Sequence, residues 1–449
     1  ANGQSTPGAY DLNDDGEFNI RAYAHDPRVF DANGNGILDP GDLILIFSDG
    51  VDNDGNGYID DIAGWDFFED DNDPFDNVHF GHGTGRAKDA AAEGNNGIGG
   101  IGVAPGATLL PIRIGDSFVV DVNTFAQGVL YAVDAGAAVV EAAVGAYNNS
   151  RFAREAVRYA RDKGVVVVLS AADENSFHHN FPGVYDHALT VKAIIPDSFV
   201  PPAEDRLAPA TTTFFQHSGC TNYGGRIDLS LPSTDCSSGA TSIGAGVAAL
   251  VVSRGRDLVD QGLLAQPLSA NEVKQIMTLS ADDVSHSRAG HSSRYYPSQR
   301  GWDQYFGYGR GNAKAAVDRV GPGTIPPEAE LSSPEWFQTL DPVKTPVFAI
   351  AGRVAARRAG SYRFVVEYGM GVEPPETSFI PIRVSGQKTA PIEGTLATWQ
   401  LASFINFATR VPTGPEDFTV TVRVRVIDEN GQRGEARKTV FFHHDPDLR

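Results

Sequence analysis

The segment Asp31-Ala-Asn-Gly-Asn-Gly-Ile-Leu-Asp-Pro-Gly-Asp42 places oxygen-bearing side chains at positions 1, 3, 5, 9 and 12 of a loop, with Gly36 at position 6. A sharp turn at that glycine lets successive side chains and one carbonyl converge on a hard cation, so the chemistry implied is Ca²⁺ binding. The expected ligands are Asp31, Asn33, Asn35, the Ile37 carbonyl, Asp39 and Asp42. The spacing recurs at Asp11, Asn13 and Asp15, where Ala22 replaces the closing carboxylate. It recurs again at Asp52, Asp54, Asn56 and Asp60, with Ala63 at the end. Solvated Asx and Gly turns carry the same composition. Carboxylates packed this densely repel one another without a cation, which favours the metal.

Two further stretches carry nucleophile and base chemistry. Gly81-His-Gly-Thr-Gly85 precedes a small-residue helical stretch, which leaves the His82 imidazole reachable from a cleft, although a lone His is more often structural. Cys236-Ser-Ser-Gly-Ala240 opens a long Ala- and Gly-rich helix. A serine there, Ser238, sits where backbone N–H groups and the helix dipole stabilise an oxyanion. Serine at a helix start also serves as an N-cap. Two cysteines, Cys220 and Cys236, do not by themselves separate a disulfide from a buried thiol pair. The Ca²⁺-type loops favour an extracellular setting, where a disulfide persists.

The elements that must position these residues follow from periodicity. Residues 1–80 are rich in Asp, Asn and Gly and form an acidic, loop-rich N-terminal part. In 81–320, short apolar strands at 108–114, 138–143 and 165–169 alternate with helices at 123–134 and 150–163. That alternation implies a parallel sheet covered by helices. Residues 321–330 are a Gly- and Pro-rich linker, and 331–449 change to period two, as in 418–426, so a β-sandwich is expected there. The fold class is therefore α/β, a mostly parallel sheet followed by a C-terminal β-sandwich. The chain has 449 residues, with 57 acidic residues against 36 Lys plus Arg, a net charge of −21. That balance argues against nucleic acid and anionic membranes as partners. No run of about 18 apolar residues marks a membrane span. The chain begins at Ala1 without a signal-peptide pattern, so a leader or longer N-terminal piece is expected to precede it.

Taken together the motifs resemble the subtilisin-like serine proteases. His82-Gly-Thr84, Gly102-Val-Ala-Pro105, Cys236-Ser-Ser-Gly-Ala240 and Phe306-Gly-Tyr-Gly-Arg-Gly-Asn-Ala313 occur in the family's order, and Asp60-Asp-Ile-Ala-Gly-Trp-Asp-Phe67 matches the segment ahead of its catalytic His. The resemblance covers about 42–320. It implies a subtilisin-like fold, His82 as general base, Ser238 as nucleophile and a polypeptide substrate whose backbone pairs with Val144, Gly145 and Ala146. It also places the stretch after Cys220 near the nucleophile loop, so a Cys220–Cys236 disulfide is expected to brace Ser238.

Three departures accompany it. The family's catalytic Asp ends an apolar strand in Asp-x-Gly, and no such strand precedes Asp42; the acid is expected on an upstream fragment, with Asp49 as the internal candidate. In Ala171-Ala-Asp-Glu-Asn175, Glu174 falls where the family's oxyanion Asn stands, leaving Asn175 or Asn180 as substitutes. Gly85 replaces the second His of His-Gly-Thr-His. The expected function is a calcium-stabilised serine endopeptidase, extracellular or at the cell surface. The alternative is a catalytically impaired subtilase-fold protein with a structural or binding role.

Overall fold

The computed structural model describes residues 23, 26–78, 81–196, 216–285, 298–410 and 417–444. The chain begins with α1 (Pro40–Phe47), started by Pro40 and by an Asp39–Asp42 capping box. β1 (Trp65–Asp66) follows, then α2 (His82–Ala91), β2 (Ile112–Arg113) and β3 (Val119–Val120). Next come α3 (Val122–Asp134), β4 (Val139–Ala142), β5 (Gly145–Ala146), α4 (Arg151–Asp162) and β6 (Val166–Ser170). The first unit ends with β7 (Leu189–Ile195), β8 (Gln216–His217), β9 (Leu229–Pro232), α5 (Cys236–Asp260), α6 (Ala270–Leu279) and α7 (Ala313–Asp318).

The expected alternation of strand and helix produces the expected layers. β4, β6, β7 and β9 run parallel as one sheet, with β8 added antiparallel to β7. β6 and β7 are buried along their whole length, which is what a sheet covered on both faces requires. Val168, Leu169 and Val191 are fully enclosed, each contributing about 1.5–3 kcal/mol through burial. α5 is long and apolar enough to span a bilayer by composition, yet it is packed against this sheet, α2, α6 and α7. It is a core helix. Its glycines permit the approach: a Cβ on Gly246 would lie 2.6 Å from Val103 Cβ and 3.1 Å from the Ala90 carbonyl oxygen of α2.

A second parallel pair, β1–β2, stands apart from the main sheet. Among the described residues, β2 and β4 have no strand on their outer edges. α3 nevertheless covers both, with Ile114 and Val140 packed against one cluster built on Phe125, Val129 and Ala142. One helix therefore packs on two strand edges that no ladder joins.

The C-terminal unit consists of β10 (Glu328–Ser333), β11 (Thr339–Leu340), β12 (Val347–Ala355), β13 (Tyr362–Met370), β14 (Ile380–Val384), β15 (Ile392–Gln400), β16 (Thr419–Asp428) and β17 (Arg433–Phe442). They form sheets of order β10-β12-β15 and β11-β17-β16-β13-β14 that share one core, including Ile350, Phe364, Trp399, Val424 and Phe442. Period two in 418–426 places Val420, Val422, Val424 and Val426 on the inner face, all fully buried. β10 starts at Glu328, inside the segment expected to be linker, because Glu328, Ala329 and Glu330 are buried against the first unit.

Candidate functional site

His82 opens α2. Gly81 before it has φ +61° and offers no side-chain cap, so the left-handed turn that aims His82 is one that glycine adopts without strain. The cap comes from Asp76 instead, whose Oδ2 accepts from Thr84 N–H at 3.2 Å and Thr84 Oγ at 3.0 Å. The imidazole is half-buried and lies 6.0 Å from the Phe118 ring, centroid to centroid. Burial and then the positive charge of Arg86 push its pKa down, against the opposing pull of Asp235 and Asp76. Asp49, the internal candidate for the triad acid, lies in an exposed turn. Its carboxylate accepts from the Val51 N–H at 3.0 Å within its own turn.

Arg86, one turn beyond His82, is 9% exposed. Its Nη2 pairs with Asp89 at 2.9 Å and with Asp235, the residue immediately before α5. That ion pair ties the start of the His82 helix to the start of the Ser238 helix. Sequence reasoning passed over Arg86, which shares α2 with two other charged residues, Lys88 and Asp89. Nearby, burial pushes the Glu141 carboxyl at the end of β4 up to about 7, while Ser242 Oγ donates to it at 3.3 Å.

The disulfide expected between Cys220 and Cys236 is formed, with an S–S distance of 2.09 Å and Cα atoms 5.7 Å apart. It anchors the first residue of α5. Ser237 is fully buried, with its N–H and Oγ donating to Asp173 Oδ1 at 2.9 and 2.6 Å. Ser237 Oγ is also 2.6 Å from Ser170 Oγ at the end of β6. Ser238 itself is half-buried. Asp173 and the two sulfurs lie within 4.8 Å of one another, but the sulfurs are bonded to each other and offer a metal no thiolate.

The carboxylate aligned with the oxyanion position does not face Ser238's turn. Glu174 Oε1 accepts from Asn180 Nδ2 at 2.9 Å and Oε2 from Asn222 Nδ2. Asn180 and Asn222 thus hold Glu174, and Asn180 is not free to substitute for it. Asn175 has φ +48°, and its Oδ1 lies 3.4 Å from His217 Nε2. Asp173 is the carboxylate lying over the first turn of α5.

The expected substrate edge is also corrected. Gly145 and Ala146 form β5, paired in parallel with β3 through Val119↔Gly145 and Val120↔Ala146. Gly145 N–H donates to the Phe118 carbonyl at 2.8 Å and Ala146 N–H to the Phe181 carbonyl at 2.7 Å. Both donors are occupied because the segment leading into α3 returns alongside β5. Val144 packs into the α3 cluster.

In the 31–42 loop, Asp31 accepts from the N–H groups of Gly34, Asn35 and Gly36, and Asp42 from those of Ala32, Asn33 and Asp39. The amides of Asn33 and Asn35 reach Asp39 at 3.3 and 2.7 Å. The Ile37 N–H closes the turn by donating to Asn35 Oδ1 at 2.9 Å. The side chains converge, and the donor set is all oxygen, as a hard cation needs. In the second loop Asp52 caps Gly55, Asn56 and Gly57, and Asp54 caps Asn56. Asp60 departs from its expected place: with φ +61° it turns its carboxylate to the N–H groups of Asp49 and Gly50, each 2.9 Å away. Asp61 faces the loop instead, accepting from Asn56 Nδ2 and Tyr131 Oη, both at 2.8 Å. Asp11, Asn13 and Asp15 lie outside the described residues.

Comparison with known proteins followed this geometry. The model of the subtilase family matches residues 46–309. Thermophilic serine proteinase of Bacillus sp. (strain AK1) is 31% identical over 271 residues, covering 57% of this chain and 56% of that protein. Thermitase of Thermoactinomyces vulgaris is 30% identical over 271 residues, covering 57% of this chain and 81% of that one. Among solved structures, the protease domain of PatA aligns with a TM-score of 0.41 and 20% identity over 55% of this chain and 83% of that one. The chain thus spans little more than half the length of the first relative and about four-fifths of the second.

Proposed function

This chain belongs to the subtilase family, and on that premise we propose that it is a calcium-stabilised serine endopeptidase acting outside the cell or at its surface. His82 is the base, Ser238 the nucleophile and a polypeptide the substrate. The observation that supports the reading is the order of the family's motifs within the matched residues 46–309, with the Arg86–Asp235 ion pair linking α2 to the residue before α5. In the reaction His82 takes the Ser238 proton as Oγ attacks the scissile carbonyl, then returns it to the leaving amine. The depressed pKa of His82 keeps the imidazole neutral, and therefore basic, below the usual histidine range. Hydrolysis of a denatured protein such as reduced casein should be lost entirely in Ser238→Ala, with the fold retained. Undiminished hydrolysis by that variant would refute the assignment.

The acid is placed on a strand entering between β2 and β4. Two unpaired edges under one helix favour an extended apolar segment that pairs with them. An upstream fragment of that kind is the partner we infer.

Calcium is assigned to Asp31, Asn33, Asn35, the Ile37 carbonyl, Asp39 and Asp42. Among the described residues the region's small core is Tyr23 and Leu43 with Val29, Phe47 and Ile62 around them. Its order should therefore depend on the ion. Chelation should lower the melting temperature; at a free Ca²⁺ concentration about 1,000 times Kd the ion supplies about 4 kcal/mol. Limited proteolysis of the chelated protein should begin within 31–61. An unchanged melting curve in excess chelator would remove calcium from the account.

A further inference from the structure

We propose that Phe337, in the C-terminal unit, is a positioning residue for the reaction at Ser238: stacked on His179, it holds the loop of residues 171–181 against the first turn of α5. The proposal deepens the protease reading above and rests on it.

Phe337 lies in the connection between β10 and β11, and its ring stacks on His179 with centroids 4.3 Å apart and planes 21° from parallel. The contact crosses from one unit to the other. Phe337 makes it with φ +59°, a left-handed conformation that a bulky aromatic residue keeps only where its surroundings over-determine it. One such constraint is the Phe337 N–H, which donates to the Thr439 carbonyl of β17 at 2.8 Å. The backbone at 224–225 is shaped to admit the ring pair. A Cβ on Gly224 would lie 2.7 Å from His179 Nε2, and one on Gly225 would lie 2.6 Å from Thr439 Oγ1 and 3.4 Å from the Phe337 ring. Phe177 meets the His179 ring edge-on at 5.5 Å. His179 serves here as a ring and not as a base. Its Nε2 is buried and has no hydrogen-bond partner among the described residues. Burial, and then the charge of Arg226, pushes its pKa down to about 3, so the imidazole is neutral.

From His179 the constraint reaches Ser238 through a few short links. Asn180, the next residue, donates from Nδ2 to Glu174 Oε1 at 2.9 Å, and Asn222 Oδ1 accepts from the Glu174 and Ser176 N–H groups at 3.0 and 3.2 Å. Asp173, beside Glu174, accepts from Ser237 N–H and Oγ at 2.9 and 2.6 Å. Ser238 follows directly on α5. Trp336, the neighbour of Phe337, acts on the far end of the same segment. The Arg226 guanidinium lies 5.1 Å from its ring centroid and donates to the Tyr185 and Ala188 carbonyls at 3.0 Å each. Two adjacent rings of the C-terminal unit thus engage both parts of the chain between β6 and β7. Residues 173–175 are exposed, so their placement depends on such ties and not on burial in a core. Phe337 acts through geometry alone, and a displacement of about 1 Å at reacting groups costs about 100-fold in rate.

The test is the saturation kinetics of Ser238 labelling by a fluorophosphonate probe in the full chain, measured well below the melting transition of each protein. Phe337→Gly removes the ring and leaves a residue at ease with a left-handed backbone. Its maximal labelling rate should fall about 10- to 100-fold, with the half-saturating probe concentration unchanged. His179→Ala removes the same contact from the other unit and reads it even where the Phe337 variant does not fold; it should show the same fall. The double variant should be no slower than either single one, because the two side chains act as one pair. His179→Phe keeps the stack, loses only the unpaired nitrogen and should label at the wild-type rate. Wild-type labelling in both ring-removing variants would overturn the proposal and leave the stack as a joint between the units. So would a loss in His179→Phe as large as in His179→Ala, or additive losses in the double variant. Absence of Ser238 labelling in every protein, wild type included, would overturn the protease reading itself, and this proposal with it.

Discussion

Supplying an apolar, strand-length peptide ending in Asp-x-Gly should accelerate fluorophosphonate labelling of Ser238 by about four orders of magnitude. That is the scale on which loss of the triad carboxylate lowers turnover when base and nucleophile stay in place. The expectation comes from two independent observations. No apolar Asp-x-Gly strand precedes Asp42 in the sequence, and β2 and β4 present two outer edges without a partner among the described residues, beneath one covering helix. A strand inserted there would pair on both sides and bury its β-branched side chains against α3. The same peptide with Asn for Asp separates the two contributions. It should protect the amides of 112–113 and 139–142 from hydrogen exchange to the same degree, yet leave labelling slow. Fast labelling of the chain alone, unaffected by either peptide, would show that another carboxylate already serves His82. Protection without acceleration by the Asp peptide would place the acid elsewhere.

The other large effect expected is on stability, at the junction of the two units. Glu272, on α6, has a side chain 1% exposed and meets two arginines from the turn between β12 and β13. Arg358 binds it in a fork, Nε to Oε1 and Nη2 to Oε2, each at 2.9 Å, while Arg357 Nη1 reaches Oε2 at 2.8 Å. The same carboxylate completes a capping box with Ser269 at the start of α6. Arg358 also donates to the Gln266 and Pro267 carbonyls, so the guanidinium is committed to this place. Glu272→Ala removes the anion and leaves Arg358, whose side chain is 8% exposed, without its partner. Breaking one side of such a buried pair costs about 3–5 kcal/mol, and loss of the cap adds about 1 kcal/mol. Chemical denaturation should show the midpoint falling and the single transition splitting as the units melt separately. Glu272→Gln, which retains an acceptor and part of the cap, should fall in between. A loss of under about 1 kcal/mol in the Ala variant would mean that the junction is held by Arg161–Glu330 and Lys438–Asp186 instead.

Residue order alone determined the parts of the protein that depend on short-range rules. The alternation of apolar runs with Ala-rich helices fixed a parallel covered sheet, and period two in 418–426 fixed the two-sheet unit, because side-chain direction follows backbone period wherever one face must be buried. The helix starts at His82 and just before Ser238 were legible because small residues cluster there. With only two cysteines, one intramolecular pairing was available. The tertiary structure decided whatever depended on a partner far along the chain. Glu174, which the sequence aligns with the oxyanion position, is held by Asn180 and Asn222, and Asp173 is the carboxylate that meets Ser237. Asp60 and Asp61 are equally good loop carboxylates on paper; a left-handed turn at Asp60 sends one to the Asp49–Gly50 amides and the other to Asn56 and Tyr131. Gly145 and Ala146 read as a free edge until β3 folds back beside them. Arg86 gains its role only because α2 and α5 touch, a contact that the glycines of α5 permit but no local pattern announces. In each case the direction of a polar side chain is set by which distant donor, acceptor or charge satisfies it, and desolvation makes that choice binding.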